Sequence, residues 1–168
     1  MTAQRQERYG SRPGIALFAL LAGFFAALSL DSAASAATTE RVVVNRYSGL
    51  AIAGFDPVAY FTDSIAVQGL PDYEAREGGA VWRFRNEGNR ASFVAHPEIY
   101  GPQFGGYDPV DLGRGVTLAG NPRFWVVAGQ RLYLFGREEN RDAFAADPER
   151  FLKEATARWP AVERGLAQ

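Results

Sequence analysis

Four side chains in this chain could do ligand or proton chemistry by their type and position: Asp56, Asp108, Asp111 and His96, the single histidine. Carboxylates are the hard oxygen donors that hold divalent cations. An imidazole can join them, or move a proton near neutral pH. Asp108 and Asp111 follow directly on Gln103-Phe104-Gly105-Gly106-Tyr107, a glycine-rich stretch that sets a phenol beside two carboxylates. One reading of that stretch is a small ligand pocket lined by Tyr60, Tyr107 and Asp111, where two halves of the chain meet. The other is a tight linker whose glycines turn the chain. His96 is open to two readings as well. It stands before Pro97-Glu98 as Asp147 stands before Pro148-Glu149. The position therefore reads as a helix cap or turn, with ligation or acid–base work as the alternative. Asp56-Pro57 and Asp108-Pro109 have the same plain explanation, a capped helical turn with proline at its first position.

Other chemistries are missing from the chain. It has no cysteine, so no thiolate can serve as nucleophile, redox centre or soft-metal ligand. There is no G-x-S-x-G elbow and no phosphate-cradling glycine loop. Nothing singles out two acids for a carboxylate-pair hydrolase. We therefore expect no catalytic residues, no enzyme activity and no cofactor, with a divalent metal on oxygen ligands as the alternative. A formal net charge of −1, without a basic patch, argues against a nucleic-acid partner. The 168 residues are 47% apolar, enough for one core of ordinary size. Aromatic residues make up 13%, and Trp125, Trp159, Tyr100 and Phe104 are candidates for a ring-lined binding groove.

The elements that must position these residues occur twice. Gly69 to Tyr100 lies over Gly120 to Phe151 at a constant offset without a gap, matching Gly78 to Gly129, Trp82 to Tyr133 and Phe84 to Phe135. Further along, Asn89-Arg90, Phe93 and Pro97-Glu98 meet Asn140-Arg141, Phe144 and Pro148-Glu149. Upstream, Gly54-Phe55-Asp56-Pro57-Val58 meets Gly106-Tyr107-Asp108-Pro109-Val110. Self-similarity of this extent is the signature of a tandem duplication. Each copy reads as a short helical turn, a hairpin and a helix, an α+β unit packed with its twin about a pseudo-twofold as one domain. The strand pairs are Tyr73 to Arg76 with Ala80 to Arg85, and Phe124 to Ala128 with Arg131 to Phe135. Trp82 with Phe84, and Tyr133 with Phe135, share a sheet face at period two. Helices are expected over Glu87 to Ala95 and Glu138 to Ala146, with Phe93 and Phe144 inward and Asn-Arg opening each helix beside a glutamate. The last helix should end before Trp159-Pro160, and Arg41 to Arg46 reads as an extra strand.

These motifs resemble the YHS domain, a TRASH-like module. Its Asp-Pro-Val start, Tyr-x-Phe strand, Arg-x-x-Phe helix and Pro-Glu-x-Tyr end match Asp56-Pro57-Val58, Trp82-Arg83-Phe84, Arg90-Ala91-Ser92-Phe93 and Pro97-Glu98-Ile99-Tyr100. The second copy supplies Asp108-Pro109-Val110, Tyr133-Leu134-Phe135, Arg141-Asp142-Ala143-Phe144 and Pro148-Glu149-Arg150-Phe151. The string Ala51 to Phe61 resembles exported bacterial members in particular. The resemblance implies the fold. It also implies that cysteines of metal-binding members stand where this chain has Ala59, Arg85 and Asn89, and again Asp111, Gly136 and Asn140. Thiolate metal binding is accordingly expected to be lost, since none of these is a soft ligand.

The first residues read as a leader. Arg5, Arg8 and Arg12 precede an uncharged run from Ile15 to Leu30, and Ala34-Ser35-Ala36 has the A-x-A form of a cleavage site. The run is shorter than the ~20 residues of a membrane span. Without twin arginines, the general secretory route is expected. The expected organisation is a signal peptide over 1–36, a lead-in over 37–49, YHS-like units over 50–105 and 106–159, and a tail over 160–168. The mature protein would be periplasmic or secreted, binding a small ligand or a periplasmic protein. A membrane would be involved only if the leader stays on as an anchor.

Overall fold

Two antiparallel hairpins and six short-to-medium helices build the described residues, 41–166 of a computed structural model, giving an α+β fold. The expected leader lies outside the described residues. Within 41–166, no helix is long and apolar enough to cross a membrane.

The order of elements in the first half returns in the second. Helix α1 (Ala59–Thr62), the hairpin β1 (Leu70–Glu77) and β2 (Ala80–Phe84), and helices α2 (Glu87–Ala95) and α3 (Pro97–Tyr100) come first. Helix α4 (Pro109–Gly113), the hairpin β3 (Asn121–Ala128) and β4 (Arg131–Phe135), and helices α5 (Glu138–Ala146) and α6 (Pro148–Gly165) follow. A 3-10 turn precedes each set, at Ile52–Gly54 and at Gln103–Gly106. The residue after each turn is bridged to a later segment, Phe55 to Gln68 and Tyr107 to Ala119.

Local chemistry explains the hairpins. Gly78 and Gly79 both have positive φ, as do Gly129 and Gln130, which is the backbone of a two-residue type I′ turn. Both first strands begin earlier than the apolar alternation suggested. Leu70 pairs with Phe84 and Glu74 with Arg83, so Pro71, Asp72 and Tyr73 bulge out of register; Asn121 and Trp125 bracket the same irregularity on β3. Proline lacks the N–H that a ladder needs, so Pro71 and Pro122 sit where the ladder is interrupted.

Strand β2 buries one face only: Ala80, Trp82 and Phe84 point inward, with Val81 and Arg83 half-exposed. Strand β4 is buried from Leu132 to Phe135. Its two faces serve different cores. Leu132 and Leu134 join the cluster of Ile52, Phe55, Trp82, Phe84 and Phe93. Tyr133 and Phe135 pack with Val110, Phe144 and Phe151. The period of two thus hands alternate residues to the two halves. Tyr60 strengthens that junction: its ring meets Trp125 edge-on at 5.1 Å and its hydroxyl donates to the Pro122 carbonyl at 2.8 Å.

Two segments differ from expectation. Arg41 to Arg46 makes single bridges, Val44 opposite Ala51 and the Val43 amide on the Gly105 carbonyl, because the chain turns back at Tyr47 and Ser48 over the Asn45 side chain. Helix α6 does not stop at Trp159. It runs through Pro160 to Gly165, because Trp159, Val162 and Leu166 pack on Val43 and Tyr107, and that burial outweighs one missing N–H bond.

The Tyr60 contact yields a measurable cost. Tyr60→Phe keeps the ring but leaves the buried Pro122 carbonyl without its donor, so stability in urea should fall by about 1–3 kcal/mol. Burial, with a smaller contribution from the Asp56 charge, holds the Tyr60 phenol well above its ordinary value of 10.0. A raised pKa means that the fold prefers the protonated form. This contribution is complete below pH 10.0 and declines as pH climbs above it. Alkaline unfolding monitored by tyrosinate absorbance should therefore show less pH dependence above that value in Tyr60→Phe.

Candidate functional site

The candidate acids fall into two matched clusters. Asp56 is fully buried and its carboxylate accepts four hydrogen bonds. Oδ1 takes the amides of Val58 at 2.9 Å and Ala59 at 3.4 Å, opening α1; Oδ2 takes the Arg85 amide at 2.8 Å and Asn89 Nδ2 at 2.7 Å. Asp108 repeats the pattern. Its Oδ1 accepts from the amides of Val110 at 2.9 Å and Asp111 at 3.3 Å, and its Oδ2 from the Gly136 amide at 2.8 Å and Asn140 Nδ2 at 2.7 Å. Each aspartate ties three elements together: a helical turn, the end of a hairpin and the following helix. The positions Ala59, Arg85 and Asn89 meet around Asp56, and Asp111, Gly136 and Asn140 around Asp108.

The second cluster carries an additional charge. Asp111, 2% exposed, stands where the first half has Ala59. Its carboxylate pairs with Arg137 Nη2 at 2.6 Å and Arg114 Nη1 at 3.1 Å, and accepts from Asn140 Nδ2 at 3.0 Å. The hydrogen bond to Asp111 raises the Arg137 guanidinium further above its ordinary range, with that carboxylate's charge adding to it. In the first half, Arg85 reaches outward to Asp63 at 2.7 Å instead. A cation entering either cluster would have to displace N–H donors from oxygens already fully engaged, beside arginine in the second. Among the described residues, no group of three or more His, Cys, Asp or Glu side chains is arranged to hold one ion.

His96 is exposed and lies away from both clusters' hydrogen bonds. It occupies the cap position of α3 without a side-chain cap bond, and its Nδ1 is 3.5 Å from Glu98 Oε1. Its counterpart Asp147 does cap, accepting the Arg150 amide at 3.3 Å. Asn89-Arg90 and Asn140-Arg141 sit in the first turn of their helices, with Arg90 paired to Glu87 and Arg141 to Glu138.

Tyr60, Tyr107 and Asp111 are all buried, and none of them lines the cleft found on the described surface. That cleft, about 460 Å³, opens between the β1–β2 turn, α3, the Gly101–Gly105 segment and α6. Four rings line it. Trp82 and Phe93, both buried, back the inner part with their rings tilted at 39° and 4.8 Å apart, and Trp82 Nε1 donates to the Glu77 carbonyl at 3.0 Å. Phe104 and Trp159 meet edge to face at 5.7 Å and are half-buried. Of the aromatics singled out in the sequence, these two reach the cleft; Trp125 packs on Tyr60, and Tyr100 on Phe61 at 5.3 Å. Phe104 is placed by a left-handed turn (φ 54°) that Gly105 continues. A Cβ on Gly105 would come within 1.9 Å of the Arg41 carbonyl, so only glycine permits this approach. The cleft's carboxylates, Glu77, Glu98 and Glu163, come from three separate elements. No spacing in the chain joins them, so no sequence signal could have found them.

The aspartate clusters generate a clear expectation. Asp108→Ala strands buried amides and the Asn140 side chain, and should cost about 3 kcal/mol or more in denaturant titration. The loss should be the same with and without a chelator, whereas a metal-holding role would make it depend on chelation. His96→Ala should stay within about 0.5 kcal/mol of the parent.

Comparison with known proteins finds no match to this chain, whether among family models, characterised proteins or solved structures.

Proposed function

We propose that this chain is an exported, non-enzymatic binding module made of two YHS-like units related by duplication, and that its ligand sits in the cleft between the first hairpin, α3 and α6. One observation carries the reading: a concave site of about 460 Å³ lined by the half-buried rings of Phe104 and Trp159, with the buried Trp82 and Phe93 behind them. Its volume is in the range of small-molecule sites, and aromatic walls with a few polar groups are their usual lining. The repeated order of elements and the repeated four-bond aspartate support the duplication. Asp56 and Asp108 are engaged in holding the fold, which leaves them poorly suited to the oxygen-ligand metal site. The reading of Tyr60, Tyr107 and Asp111 as a pocket gives way to this cleft, because those side chains are buried in contacts of their own.

A fragment set titrated into isotope-labelled protein tests the assignment. Bound fragments should shift the indole N–H signals of Trp82 and Trp159 while leaving Trp125 in place, and Gln103→Trp on the cleft lining should abolish those shifts. Hits that move Trp125 alone, or no shift at Trp82 and Trp159 across the set, would sink the reading.

A further inference from the structure

Resting on the cleft as a binding site, we propose that its ligand class is a small organic cation, an alkylammonium or quaternary ammonium group seated between rings and carboxylates. The charge around the cleft is lopsided. Glu77, Glu98 and Glu163 line it, while Arg41 is the one basic residue among the described residues that does so. No ion pair neutralises Glu77 or Glu163 among the described residues, and the nearest partner of Glu98 is the exposed His96 at 3.5 Å. Arg131 lies outside the lining and is spent on the Glu98 carbonyl at 2.7 Å.

The rings add a second, independent preference. An aromatic face carries negative potential and attracts cations, most strongly for tryptophan. Trp82 and Trp159 both line the cleft, Trp82 with its N–H already committed to the Glu77 carbonyl. Trp82 is 3% exposed and backs the wall, so the indole face open to a ligand is that of half-buried Trp159. Phe104, meeting Trp159 at 71°, gives the wall two differently oriented rings around one space. An anion would face three carboxylates there, and a neutral apolar guest would gain nothing from them. A quaternary ammonium satisfies both features best, since its alkyl groups cover the charge and leave no N–H for water to hold.

Choline and its neutral isostere 3,3-dimethyl-1-butanol have nearly the same shape and differ in charge. Titrated separately and followed by the Trp82 and Trp159 indole signals, choline should bind at least about tenfold more tightly than the alcohol. The double variant Glu98→Gln/Glu163→Gln should reduce that difference without changing the folded spectrum, and added salt should weaken choline selectively. Equal affinity for the two probes, or no shift from choline while fragments move the same signals, overturns the cation class and leaves the cleft standing. Silence from choline, the alcohol and the fragment set together removes the cleft assignment as well.

Discussion

A buried carboxylate that accepts four N–H donors is the constraint around which each half of this protein is organised. Asp56 and Asp108 are fully withdrawn from water, a position that would be prohibitive for a charge without strong hydrogen bonds. The donors come from places distant in sequence: two amides of the following turn, one amide at the end of the second strand, and an asparagine side chain in the next helix. One ionised side chain thus sets where a helix starts, where a hairpin stops and how the next helix lies across it. The cost of removing the charge from water is offset only when all three elements are in place, which makes the unit cooperative.

The second organising feature is the shared strand. Because alternate side chains of β4 leave on opposite faces, Leu132 and Leu134 complete the first core while Tyr133 and Phe135 complete the second. A hairpin with helices of this size would be marginal alone. Burying both faces of one strand lets the two clusters support each other. Tyr60 adds a polar latch at the same seam, with its phenol protonated and donating to β3. The halves differ where this seam makes them differ: β2 carries half-exposed Val81 and Arg83 where β4 carries buried leucines.

The cleft arises from the same assembly. Trp82 and Phe93 belong to the first core, Phe104 to the segment joining the halves, and Trp159 to the long last helix. Helix α6 reaches the cleft because it continues past Pro160, an extension held by Trp159, Val162 and Leu166 against Val43 and Tyr107. The packing that stabilises the C-terminal helix is thus also what closes one side of the site and brings Glu163 to its edge.

Much of this was legible from local signals. The helices Glu87–Ala95 and Glu138–Ala146 have the boundaries expected of them, and Gly78-Gly79 and Gly129-Gln130 mark both hairpin turns, because type I′ turns depend on neighbouring residues alone. The inward faces of Trp82 with Phe84 and of Tyr133 with Phe135 follow from period two. The passage of α6 through Pro160 was not legible, since it is decided by contacts with Val43 and Tyr107 far back in the chain. The same holds for the site. Residue type nominates an aspartate or a tyrosine for chemistry, but Asp56, Asp108 and Tyr60 are committed to holding the fold by donors and acceptors many residues away. Glu77, Glu98 and Glu163 line one cleft only because the end of β1, a short helix and the last helix border the same space. Local sequence determines the hairpins and the two nine-residue helices; which side chains are left free to meet a ligand is settled by tertiary packing, since burial and hydrogen-bond satisfaction depend on residues far apart in the chain.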